Sequence, residues 1–233
     1  MPLFPPLRQA AKTLAVILQK TAKMKLITRN QVFEKQNNIA KLVRSFQKDF
    51  FDEEIDESEL EMFDILEFEL DEVEYESFII EINHSELETY TKHIAEKLIQ
   101  LLKYLNVKEL NIISHLKLDF YLNSEHIEYE KVLNCYKKLN KITNSEKYDE
   151  AISVETSEIE TLVEIFFWIE RCNGGCPEFI FWSDIENRFC FYFCKYGKLH
   201  FVDFTLGNLI SSENLKEMGF NELKKCSDGI EID

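Results

Sequence analysis

Six cysteines and five histidines carry most of the chemistry that this 233-residue chain could perform outside its carboxylates. Cys172-x3-Cys176 and Cys190-x3-Cys194 superficially resemble a four-thiolate zinc site, with Asn173-Gly174-Gly175 as the loop that would grip the ion. The second pair falls in an aromatic run that reads as a strand, where residues four apart are separated by roughly 13 Å at about 3.3 Å per residue. Two such thiolates cannot both reach one ion at about 2.3 Å. Buried apolar thiols account for the cysteines better, so neither a metal nor a cofactor is expected. A thiol nucleophile would need a base, and Cys172, Cys176 or Cys194 could each meet His200, but the sequence offers no third, orienting group. His93 and Glu96 share a helical face without any His-Glu-x-x-His pattern, and an exposed charge pair explains them. The chain has no phosphate-cradling P-loop, no dinucleotide fingerprint and no G-x-S-x-G elbow. It carries no recognisable catalytic motif, and no enzyme is expected.

Charge is the stronger signal. Residues 1–48 hold ten basic residues and one acid, Glu34, whereas the rest holds 17 basic and 42 acidic residues, so a segment of +9 precedes one of −25. Fifteen of the acids fall between Asp49 and Glu76, a stretch with no Lys or Arg. Such a field repels nucleic-acid phosphates and anionic lipid and attracts basic surfaces. The expected partner is a basic protein, with no nucleic acid and no membrane. The candidate binding residues are Asp52, Glu53, Glu54, Asp56, Glu57, Glu59, Glu61 and Asp64, with Phe63 or Tyr75 as apolar anchor. Mutual repulsion of so many carboxylates costs stability that a purely structural segment has no reason to bear.

The elements that would position these groups follow from hydropathy periodicity. A hydrophobic content of 45% with 19 Phe supports a sizeable core. No apolar run reaches the roughly 18 to 20 residues of a membrane-spanning helix. A helix is expected over Gln31–Phe50, followed by an acidic loop and an acid-decorated strand about Ile65–Leu70. Ser77–Asn83 reads as a strand, and Ser85–Tyr104, N-capped by Ser85, as a helix whose apolar face covers a sheet. Glu109–Ser114 and Lys117–Leu122 read as strands and His126–Asn140 as a helix. Glu178–Ser183, Arg188–Lys195 and Lys198–Phe204 form a three-stranded meander, and a short helix near Glu213–Met218 follows.

An internal echo links Ile80–Tyr90 with Ile152–Leu162 at an offset of 72, with five of eleven positions identical. Duplication and shared capping chemistry both explain it. The fold class is therefore α+β, with antiparallel or mixed sheets covered by amphipathic helices, readable as two related β-α-β-β units and ending in the meander. Three sequence regions stand out: a basic helical segment over 1–48, an acidic unit over 49–145 and a second unit over 146–233, the last two compatible with one continuous domain. Within the first, residues 1–23 lack acids and read as a terminal helix, a targeting peptide or an extension ahead of a start at Met24.

Reduced thiols in a chain of this size point to a cytoplasmic location. In general character, though in no defined motif, the chain is similar to the small acidic immunity proteins that bacteria encode beside toxins. That likeness implies a binding and inhibitory role against a basic toxin or nuclease domain. A structural or regulatory interaction module is the alternative, and an enzyme whose site the sequence does not advertise is a third.

Overall fold

In the computed structural model, which describes residues 24–50, 60–64, 72–84, 86–224 and 226, the meander of aromatic strands forms the centre of a single eight-stranded sheet. Its strands are β1 (Met24–Ile27), β2 (Glu76–Ile82), β3 (Glu109–Ser114), β4 (Ala151–Glu155), β5 (Ile180–Asp184), β6 (Phe189–Phe193), β7 (Leu199–Asp203) and β8 (Phe220–Leu223). They lie in the order β1-β4-β3-β5-β6-β7-β2-β8, every neighbouring pair antiparallel. All three sequence regions contribute strands to it. The helices are α1 (Arg29–Phe33), α2 (Asn37–Phe50), α3 (Leu87–Tyr104), α4 (Glu130–Thr143), α5 (Ile159–Cys172) and α6 (Ser212–Glu217). This is the α+β architecture that the sequence implies.

Both faces of the sheet are covered, which is why β5 to β7 read as unbroken aromatic runs rather than alternating ones. One face packs Ile180, Trp182, Phe189, Phe191, Phe193, Leu199 and Phe201 against α3, α4 and α5. The opposite face packs Phe181, Cys190 and Val202 in a second core with Val32, Ile39, Leu42 and Val43 of α1 and α2. Across the first face runs an aromatic ladder: Trp182 stacks on Phe191 at 5.8 Å, Phe191 on Phe201 at 5.2 Å and Phe201 on Phe78 at 5.2 Å. The ladder crosses β5, β6, β7 and β2, and such cross-strand pairs fix the register of strands far apart in sequence.

The echo falls on two strand-helix-strand passages, β2-α3-β3 and β4-α5-β5. Ile80 and Ile152, Ile82 and Val154, and Tyr90 and Leu162 all lie in the same core. The passages differ in span, because three strands separate β2 from β3 whereas only β3 separates β4 from β5.

Several expectations are corrected. The helix expected over 31–50 is broken at Glu34–Gln36, because Gln36 turns fully inward. Its amide donates to the Asp184 carbonyl and accepts from Asn111 Nδ2 at 3.2 Å and Ser183 Oγ at 2.9 Å. Lys117–Leu122 is not a strand, since β4 and β5 already occupy both edges of β3; it forms irregular turns with Phe120 N–H donating to the Tyr148 carbonyl. The helix expected over His126–Asn140 begins at Glu130, after a short turn at Ser124–His126, and runs to Thr143. Ser85 and the expected strand about 65–70 lie outside the described residues, and the N-cap of α3 is Glu86. The edge strands β1 and β8, four residues each, were not expected.

Candidate functional site

The acidic run is fastened to the body at Asp64. Its carboxylate receives Arg29 Nε at 2.8 Å and Nη2 at 2.6 Å, with Gln47 Nε2 at 2.8 Å, and the Arg29 and Asp64 side chains are only 2% and 6% exposed. Arg29 also donates to the Ser114 hydroxyl and carbonyl at the end of β3, and Lys117 N–H donates to the Met62 carbonyl at 2.7 Å. Asp64 is thus part of a buried ion pair and does not belong to an exposed binding surface. Of the other candidate residues, Glu61 is exposed, Phe63 is half-buried and Tyr75 is 43% exposed. Asp52, Glu53, Glu54, Asp56, Glu57 and Glu59 lie outside the described residues.

A second constellation gathers around Cys194, which the sequence reading placed inside a strand. Strand β6 ends at Phe193, so Cys194 is the first residue of the β6–β7 turn and not a strand residue. The Gly197 N–H closes that turn onto the Cys194 carbonyl at 2.7 Å, and Gly197 takes a φ of +76°. This left-handed conformation is open to glycine and suits a three-residue hairpin loop. The turn is gripped from two helices: Tyr90 of α3 donates its hydroxyl to the Gly197 carbonyl, and Arg171 of α5 donates to the Lys195 carbonyl, both at 2.7 Å.

The turn wraps backbone N–H groups around a sulfur. Those of Tyr196 and Lys198 donate to the Cys194 thiol and favour its ionised form, although burial outweighs them and leaves its pKa raised to about 11. Cys226, brought back beyond β8, places its Sγ 3.5 Å from that of Cys194. His200, opposite Tyr192 in the β6–β7 register, stacks on that ring at 4.8 Å. The ligating atoms of Cys194, His200 and Cys226 all lie within 4.8 Å of one another.

These three side chains line a cavity of about 430 Å³ together with Glu170, Cys176, Phe179 and Tyr192. Glu170 is its unusual member. Both of its carboxylate oxygens are buried and lack a hydrogen-bond partner among the described residues, while the stem is partly exposed. Burial, and secondarily the Cys194 thiol, holds its pKa well above the usual carboxylate range. The Nε2 of His200 is likewise buried without a partner, and burial lowers the pKa of that ring. Tyr75, at the end of the acidic run, is among the groups that raise the pKa of the Tyr192 hydroxyl, after burial as the main cause.

Among the remaining thiols, Cys176 lines the cavity without belonging to the Cys194–His200–Cys226 cluster. Cys135, Cys176 and Cys190 are buried, and Cys172 is exposed. Sequence reasoning paired Cys194 with His200 but missed Cys226 and Glu170. The legible signal was Cys194-x2-Gly197 directly after an aromatic strand, a spacing that lets a tight turn aim amides at a sulfur. Neither a protein-family model, a curated protein nor a solved structure matches this chain. No helix among the described residues is long and apolar enough to cross a membrane.

Proposed function

We propose that this chain is a binding protein that neutralises a basic protein partner, as an immunity protein neutralises a toxin or nuclease domain, and that it works by occlusion rather than catalysis in the cytoplasm. The observation that carries this reading is the run of 15 acids and no basic residue between Asp49 and Glu76. Two features of the fold support it. The run is tied to the body through the Arg29–Asp64 pair, which limits the ordering cost of presenting it. It ends beside β2 at Tyr75, an exposed aromatic of the kind that anchors interface centres.

A field of this density raises association rates with a basic surface and loses that effect as salt screens it. The test is association of the full chain with a basic toxin or nuclease domain, drawn from a neighbouring gene where that gene encodes one, measured at low and high ionic strength. Replacing Glu53, Glu54 and Glu57 by Gln and Asp56 by Asn should slow association at low salt by about 10-fold or more while leaving the melting temperature unchanged. A wild-type rate in that quadruple variant would reduce the run to a solvated loop.

A further inference from the structure

We propose that Cys194, His200 and Cys226 form a zinc(II) site that opens onto the cavity lined by Glu170. Two thiolates and an imidazole are the donor set that selects zinc over calcium or magnesium, which prefer oxygen ligands. A tetrahedral ion bound at about 2.3 Å to each of two sulfurs separates them by roughly 3.8 Å. The Cys194 and Cys226 sulfurs are already 3.5 Å apart. The spread of all three donors, at most 4.8 Å, is brought to bonding distance by small side-chain adjustments.

Independent features of the surroundings point to a cation. Cys194 sits at the start of the tight β6–β7 turn rather than within the strand. That turn closes with the Gly197 N–H on the Cys194 carbonyl at 2.7 Å and is held in place by Tyr90 and Arg171, which fixes the position of the sulfur. His200 carries a buried, unpartnered Nε2. Glu170 presents two buried, unpartnered carboxylate oxygens to the same cavity, an arrangement that is costly without a counter-charge. A divalent ion supplies that counter-charge, and the three protein donors leave one tetrahedral position for Glu170 or a water. The ion would also tie Cys226 to the β6–β7 turn, linking the segment after β8 to the centre of the sheet.

The test uses the full chain, purified with a phosphine reductant and titrated with zinc(II) against a chromophoric chelator, and separately with cobalt(II). One equivalent of zinc should be retained through gel filtration, and cobalt should give the near-ultraviolet charge-transfer absorption of thiolate ligation. Cys194→Ser and Cys226→Ser should each weaken zinc binding by at least on the order of 100-fold, the upper end of what losing a mere supporting group costs. Cys172→Ser, at an exposed thiol outside the cluster, should bind as wild type. Glu170→Gln should weaken binding without removing the thiolate absorption. The wild-type cobalt spectrum needs no variant to fold, so its absence alone overturns the site. Zinc affinity unchanged by Cys226→Ser does so equally, as does a Cys194–Cys226 disulfide that persists in reductant and excludes the ion.

Discussion

Removing the Asp64 carboxylate tests whether the acidic run is anchored or merely adjacent to the body. In Asp64→Ala the Arg29 guanidinium stays where it is, 2% exposed and still bonded to Ser114, but without its counter-charge. Breaking one side of a buried pair costs about 3–5 kcal/mol. Gln47 loses one acceptor but keeps the His115 carbonyl at 2.8 Å, so its contribution is the smaller one. At about 2–4 °C per kcal/mol for a chain of this length, the melting temperature should fall by roughly 6–20 °C. A loss of that size is a large share of the about 5–15 kcal/mol typical of a native protein. Urea unfolding of Asp64→Leu, Arg29→Met and the Arg29→Met/Asp64→Leu double variant, beside Asp64→Ala, separates the charge from the packing. The double variant, with no charge left to bury, should recover most of the loss, giving a coupling energy of about 2 kcal/mol or more. Hydrogen exchange at the Lys117 amide, bonded to Met62, should accelerate in Asp64→Ala. A cost below about 1 kcal/mol, the range of a solvated surface pair, or single effects that simply add, would refute a buried anchor.

Three further outcomes follow from the geometry. His115 has its pKa lowered to about 4, mainly by burial and secondarily by the Arg29 charge, with its backbone contact to Phe179 pulling the other way. Its unfolded form takes up a proton near pH 6.5 while the folded form resists, so stability is present above pH 6.5 and is lost as pH falls toward 4, by about 3 kcal/mol in total. His115→Leu should remove this contribution, so that the variant loses less stability than wild type between about pH 6.5 and 4.5, on a background to which His200, with a lowered pKa, and Glu170, with a raised one, contribute slopes of opposite sign; parallel profiles would contradict the assignment. Gly197→Ala places a Cβ 2.8 Å from Phe167 Cε2 at a φ of +76°, so it should lower stability by at least about 1–2 kcal/mol and weaken zinc binding by moving the amides around Cys194; wild-type values for both would contradict the turn's role. Gln36→Leu should cost about 1–3 kcal/mol by orphaning Asn111 Nδ2 and removing one donor from the Asp184 carbonyl, which keeps the Asn187 N–H at 2.8 Å, and a neutral result in urea unfolding would mean that the break between α1 and α2 has another cause.

The parts of this fold written in local periodicity were legible in the sequence. Glu109–Ser114 is a strand over the expected residues, and the three runs from Glu178 to Phe204 form the expected meander. Both rest on short-range patterns of β-branched and aromatic residues punctuated by turns. What was not legible depended on distant partners. Lys117–Leu122 has strand-like composition, yet no open edge remained beside β3 to receive it. Gln36 sits in a helical pattern, and only the arrival of β3 and β5, 75 to 148 residues away, makes its inward turn worthwhile. Met24–Ile27 is four residues long and gains its order from pairing with Val154 to Ala151, which no window around it encodes.

The same distinction explains what was seen and missed at the two sites. The acidic run could be read because charge is additive and needs no fold to be counted. Asp64, which is buried against the body, could not be told from its neighbours in sequence, since the property that separates it is a guanidinium 35 residues earlier in the chain. At the thiol cluster, Cys190 stays in the strand and lies outside the group of donors around Cys194, as a spacing of four along a strand requires, but Cys194 itself leaves the strand. A hairpin turn closing on Gly197 changes that cysteine from a core filler into a sulfur ringed by amides. Its partners then come from β7, from the end of α5 and from beyond β8, elements separated by 6, 24 and 32 residues in the chain. Ligand spacing in sequence therefore carried the wrong pairing, whereas the turn chemistry of one cysteine and the burial of one unpartnered carboxylate locate the site in space.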